Sequence, residues 1–263
     1  MAVERQVQLS IHRLLPAFAV TSVMLTFVTL QMGDASPLGQ IIVTCLVIFL
    51  IGMPHGGLDV IMINRLAQSR LLPSIFNGSV VAHGTILLGY LSLVVMAWSL
   101  WIMLPAFSLA VFLFIAAVHF SKDWGVQSQT SLSFSLAVLT IALPALFHSA
   151  SLREYFQALL LSVQQADTAV TAMQLSIAPA LLIFIYHLIM KRSETIIWVW
   201  LGAMMVAAYW LTPLWYFCVY FCAVHSVLHT LHIKVINKLT WKDIGKALIF
   251  PMIGTTALLI IAY

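Results

Sequence analysis

From Val80 to Leu104 the chain runs without a single Asp, Glu, Lys or Arg. A helix needs about 20 apolar residues to cross the hydrocarbon core of a bilayer, and this run supplies them. Ile41 to Met53 and Thr195 to Leu211 are also apolar and uncharged. Only 8% of the 263 residues are charged and 62% are hydrophobic, whereas a soluble domain carries about 25% charged residues. Such a chain cannot cover a water-facing surface. The expected fold class is an all-α polytopic membrane protein.

Nine apolar segments can be read, about 14–30, 38–54, 79–103, 105–120, 131–149, 173–190, 195–211, 213–233 and 245–262, within a range of eight to ten. If each one crosses, alternate connections share a side. Those connections hold Arg5 and Arg13, Arg65 and Arg70, Lys122, Lys191 and Arg192, and Lys234, Lys238, Lys242 and Lys246. Of the 12 basic residues, Arg153 alone falls opposite. Basic residues collect in cytoplasmic loops, so the N-terminus is expected inside and the C-terminus outside. The net charge of +4 then reads as a topology signal, and no nucleic-acid partner is expected. Leu152 to Met173 mixes Gln157, Gln164, Gln165 and Asp167 with leucines and reads as an outer loop or an interfacial helix. The first apolar run lacks a small-residue cleavage site and reads as a spanning helix. Cys45, Cys218 and Cys222 lie in apolar segments without a C-x-x-C, which argues against a disulfide framework. No repeat or low-complexity tract interrupts the chain. Residues 1–263 are expected to form a single integral membrane domain in a lipid bilayer.

Ionisable groups at membrane depth are costly and mark functional sites. In the nine-segment topology His55 ends the second helix, His119 ends the fourth, and His225 and His229 occupy the inner half of the eighth. All four share a depth in the cytoplasmic leaflet. His225 and His229 are four apart, so they stack on one helix face, roughly 6 Å from each other. Neutral imidazole is the commonest metal-binding side chain, and several imidazoles with few carboxylates suit iron, copper or zinc. The bland alternative holds for each one singly, because a membrane histidine more often hydrogen-bonds a neighbouring helix. His83 opens the third helix at the same depth and is a reserve ligand or supporting group. His12 and His232 sit at helix ends, His187 reads as interfacial beside Lys191 and Arg192, and His148 lies in the opposite leaflet.

The backbone around His55 is unusual. Pro54 removes a helix donor, and Gly56-Gly57 permits a break or a close approach. Metal-bound imidazoles commonly donate their second N–H to a carboxylate or carbonyl, which makes Asp59, one turn past His55, a supporting candidate. Asp123 stands in the same relation to His119, although Lys122 beside it favours a solvated loop. Cys218 and Cys222 fall on the His225/His229 face by spacing. Packing is their default role, and Cys222 is the one that could join the site. Trp210, Trp215, Tyr216, Phe217, Tyr220 and Phe221 form either an interface belt or the wall of an apolar tunnel.

Together these residues resemble the Brp/Blh family of bacterial and archaeal membrane β-carotene 15,15′-dioxygenases. Gly52-Met53-Pro54-His55-Gly56-Gly57-Leu58-Asp59 is similar to the family's G-x-P-H-G-x-x-D signature. His119-Phe120, Pro144-Ala145-Leu146-Phe147-His148 and His225-Ser226-Val227-Leu228-His229 resemble its later elements in order. The resemblance implies Fe(II) held by His55, His119, His225 and His229. It also implies β-carotene and O2 as substrates and cleavage of the central 15,15′ double bond into two molecules of all-trans-retinal. It further implies a multi-pass location in a bacterial or archaeal inner membrane, with the product supplied to a microbial rhodopsin. A membrane di-iron hydroxylase or desaturase acting on a lipid or carotenoid is one alternative, but it needs several histidine boxes and only one H-x-x-x-H occurs. A non-catalytic retinal- or carotenoid-handling membrane protein is another.

The topology makes a direct prediction. Reporter fusions at Asp34, Arg70, Asp123, Leu152, Arg192 and Thr240 should read out, in, in, out, in and in. An inside reporter at Asp34 or Leu152 would overturn it.

Overall fold

Every backbone N–H and C=O placed in lipid must find its partner within the protein, and a helix achieves this inside one segment. The computed structural model obeys that constraint: helix is the regular structure throughout the described residues. It describes residues 79–124, 130–191 and 195–261, and before them only 18, 20–22, 24, 52, 56–58 and 61. The helices are α1 (Ser79–Met103), α2 (Pro105–Phe120), α3 (Thr130–Ala142), the single turn α4 (Pro144–Phe147), α5 (Ser149–Ala158), α6 (Val163–Lys191), α7 (Thr195–Trp210), α8 (Pro213–Ile236) and α9 (Trp241–Ile261). Among the described residues five stretches are long and apolar enough to cross a membrane: Gly84–Met103, Pro105–Trp124, Thr130–Phe147, Val163–Met190 and Pro213–Ile236. Ile197–Trp210 is a shorter apolar helix. The chain is therefore a membrane protein whose described residues are all-helical. The expected segments 14–30 and 38–54 fall almost wholly outside the described residues.

Local chemistry sets the helix ends. Pro105 and Pro213 open α2 and α8, where the missing N–H costs nothing and the fixed φ suits the first turn. A capping box opens α6: the Ser162 N–H donates to Gln165 Oε1 at 2.9 Å, and the Gln165 N–H donates to Ser162 Oγ at 3.2 Å. A similar box opens α9. Both Thr240 N–H and Thr240 Oγ1 donate to Asp243 Oδ2, and the Asp243 N–H donates back to Thr240 Oγ1. These bonds hold the Asp243 carboxyl below its ordinary range.

The Ser162 box corrects one expectation. The sixth segment begins at Val163, ten residues before the expected 173, and runs for 29 residues. At 1.5 Å per residue it is about 43 Å long, against a hydrocarbon core of roughly 30 Å. Its polar first turns, with Gln164, Gln165 and Asp167, belong to one continuous helix that is longer than the apolar layer is thick. The rest of the polar stretch forms α5, tied to α6 by the exposed Arg153–Asp167 ion pair. The expected 131–149 helix also divides. Pro144 ends the regular run at Ala142, and α4 and α5 follow as separate turns.

The core lies where α3 packs along α6. α3 contributes Leu132, Leu136 and Leu139, all fully buried. α6 presents Ala166, Val170, Met173, Ile177, Ala180 and Phe184, a 4-3-4-3-4 stripe that makes one apolar face. Small residues on it allow close backbone approach. The next position in that stripe is His187. It is 5% exposed, with Nε2 2.7 Å from Ser131 Oγ on α3. The interfacial expectation for His187 is thus replaced by a buried cross-helix bond, as the stripe requires. A smaller cluster joins Leu58 to Ile233 of α8 and Ile244 of α9.

Truncation in this core should be costly and truncation on the lipid face should not. Leu136→Ala is expected to destabilise the folded protein by about 2–4 kcal/mol in reversible detergent unfolding. Leu182→Ala, at a position 68% exposed, should stay within about 0.5 kcal/mol. Equal effects would contradict this assignment of core and surface.

Candidate functional site

His119 stands one residue before the end of α2. After Phe120 the helix tightens into a 3-10 turn, Ser121–Trp124, held by Ser121 Oγ donating to the Val118 carbonyl at 2.7 Å. This turn carries Asp123 back into the protein, where it is 8% exposed. Across from it α8 departs from α-helical winding: residues Tyr220–His225 form a π turn. A π turn closes i→i+5 hydrogen bonds, so residues five apart stand nearly over one another. Tyr220 and His225 are such a pair.

Both reach the same oxygen. His225 Nδ1 lies 2.7 Å from Asp123 Oδ2, and the Tyr220 hydroxyl donates to Oδ2 at 2.9 Å. Tyr220 and His225 are each 1% exposed. The carboxylate is therefore a buried acceptor shared by two donors of one helix turn. The solvated loop expected around Asp123 is not what forms. Its spacing of four from His119, which puts both on one helix face, was the sequence signal for its inward position.

Three imidazoles gather around this contact. The His119 ring centroid is 4.8 Å from that of His225 and 6.0 Å from that of His229, and the two α8 rings are 6.2 Å apart. Phe120 closes one side, 4.6 Å from His225 and 5.2 Å from Tyr220. A stacked ladder runs along α8 from Phe217 to Phe221, 5.3 Å and 16° between planes, and from Phe221 to His225, 5.6 Å and 28°.

The ladder forms part of the wall of a cavity of about 330 Å³. Its lining combines Phe112, Ile115, Ala116 and His119 of α2, Thr140 and Ile141 of α3, Leu152 and Phe156 of α5, and Pro213, Tyr216, Phe217, Tyr220, Phe221 and His225 of α8. The space is apolar apart from the histidine end and a few hydroxyls. From His225 to Pro213 it follows about 18 Å of helix. A second cavity of about 640 Å³, between α2, α3 and α6, shares Leu113, Ile141 and Met173 with the first as walls.

The sequence candidates divide accordingly. His119, His225 and His229 come together. Among the described residues no three His, Cys, Asp or Glu side chains stand converged in ready-made ligating geometry, so the trio is adjacent but not closed. His55 and Asp59 lie outside the described residues. His83 falls in α1, and its side chain lies outside the described residues. Cys218 and Cys222 are buried thiols, not joined as a disulfide, in hydrogen-bond contact with each other, and they do not line the cavity. His148 joins the α4–α5 corner to the Tyr209 carbonyl of α7 at 3.2 Å, apart from the trio. Of the expected tunnel walls, Tyr216, Phe217, Tyr220 and Phe221 line the cavity, whereas Trp215 is fully buried in the core and Trp210 is exposed outside it.

Residues 46–263 match the family model described as beta-carotene 15,15′-dioxygenase. No curated protein and no solved structure matches the chain.

Proposed function

The chain belongs to the β-carotene 15,15′-dioxygenase family, and on that premise we propose that it cleaves the central double bond of β-carotene with O2 to give two molecules of all-trans-retinal. The observation that carries this reading is the apolar cavity with His119 and His225 in its wall. In the overall reaction the central C=C bond breaks and each of its carbons takes one oxygen atom of O2. Atoms balance with no further reductant.

The donor set fits an iron ion. Three neutral nitrogen ligands from two helices match the preference of imidazole for first-row transition metals. In this reading His119, His225 and His229 hold Fe(II), with His55 as the fourth ligand. Leu58, three residues after His55, packs with Ile233, four residues after His229, and three residues of chain span at most about 10 Å. That neighbourhood supports His55 as a ligand. Iron, when bound, supplies the redox chemistry for O2. The chain's own residues do the rest. Phe217, Phe221 and Phe120 hold a flat polyene against the histidine end of the cavity. Ile115, Ile141 and Leu152 exclude water. A hydrocarbon needs no polar anchor, so positioning rests on the length and shape of the cavity.

The basic-residue asymmetry supports nine spans with the N-terminus inside. The resemblance in the histidine motifs supports a bacterial or archaeal inner membrane, with the retinal passed to a rhodopsin.

Expression in a β-carotene-producing bacterial host tests the reading. Orange colour should fade as retinal accumulates. His119→Ala, His225→Ala and His229→Ala should each insert normally, lose retinal formation and carry less iron. Wild-type protein that inserts yet yields no retinal would make the chain a non-catalytic carotenoid-handling protein. A second test narrows the cavity. Ala116→Phe should lower retinal formation by about ten-fold or more with iron content unchanged, and unaltered central cleavage would contradict the cavity's role.

A further inference from the structure

We propose that Asp123 is a positioning residue, held by Tyr220, that fixes the ring orientation and tautomer of His225. This rests on the proposed role of His225 as a ligand, but its core is a statement about hydrogen bonds. An ionised carboxylate only accepts. With His225 Nδ1 2.7 Å from Oδ2, the proton of the neutral ring resides on Nδ1, and the lone pair is on Nε2. Tyr220 donates to the same oxygen at 2.9 Å and restrains the carboxylate. Phe120 and Phe221 bracket the ring at 4.6 and 5.6 Å, so the imidazole is fixed both in its plane and about its axis.

The fold is built around this contact in two places. The 3-10 turn after Phe120 brings Asp123 inward, and the π turn aligns Tyr220 with His225. A regular α-helix would set residues five apart well round the helix from each other, and the shared acceptor would be lost. π turns of this kind are frequent at functional sites. A buried carboxylate is also costly unless well hydrogen-bonded, so a tie between α2 and α8 made for packing alone would be better made with apolar side chains.

The first readout requires no metal. Purified protein with ¹⁵N-labelled histidine should show His225 as a single Nδ1–H tautomer in the metal-free state, assigned by its loss in His225→Ala. Asp123→Asn should convert that signal to a mixture with the Nε2–H form, and Tyr220→Phe should broaden or shift it. The second readout is titration with Co(II), followed by its visible absorption. Asp123→Asn should weaken binding about 10–100-fold, and Tyr220→Phe several-fold. In the His225→Ala background the Asp123→Asn change should cost nothing more. Tyr220→Phe removes one hydroxyl only and carries the test if Asp123→Asn fails to fold. A His225 tautomer indifferent to both substitutions would overturn the proposal. So would equal loss of Co(II) affinity in the presence and absence of His225. If the tautomer responds but wild-type protein binds no Co(II), the positioning role stands and the metal reading above falls instead.

Discussion

A polar group in lipid has no water to turn to, and that absence organises this molecule. Leaving a buried polar group unpaired costs several kcal/mol, and two ties between helices answer that cost with buried polar side chains. Ser131 and His187 join α3 to α6, and Asp123 joins the end of α2 to Tyr220 and His225 of α8. The same requirement confines the imidazoles to the protein interior. Once His119, His225 and His229 share one region, the space beside them is bounded by apolar walls from α2, α3, α5 and α8. A cavity that is apolar along its length and polar at one end follows from these ties.

The π turn in α8 is the local departure that makes this possible. Without it, Tyr220 and His225 would face different directions, and one of them would need another partner. With it, one carboxylate oxygen serves both, and Phe217, Phe221 and His225 stack as a continuous wall. In the proposed reaction that wall would lie along the flat face of a polyene. The energetic cost of the irregular turn is offset by a buried hydrogen-bond network, and in the proposed site by an imidazole fixed in orientation.

Much of this is legible in the residues, and the exceptions have physical reasons. The bounds of α1 and α2 coincide with the expected segments 79–103 and 105–120, because length and apolarity set them. The proximity of His119 to His225 and His229 follows from equal depth and the four-residue spacing. The start of α6 is not legible because glutamines and an aspartate there read as a loop. The Ser162–Gln165 capping signature was present but outweighed by that polarity. Lys191 and Arg192 make the stretch around His187 read as interfacial, although the 4-3 stripe runs directly to it. Asp123 is hidden for a similar reason: Lys122 is exposed while its neighbour turns inward. The π turn had no signal at all, since periodicity assumes regular winding. His55, Asp59 and the side chain of His83 lie outside the described residues, so the motif around His55 enters only through Gly52, Gly56, Gly57 and Leu58.

The central claim is that these histidines form one metal site facing the cavity. Iron K-edge X-ray absorption on the purified protein tests it most directly. The account predicts iron in a shell of light atoms, with the outer-shell scattering pattern of several imidazole rings. Iron bound through sulfur, or iron whose scattering carries no imidazole signature, would contradict it.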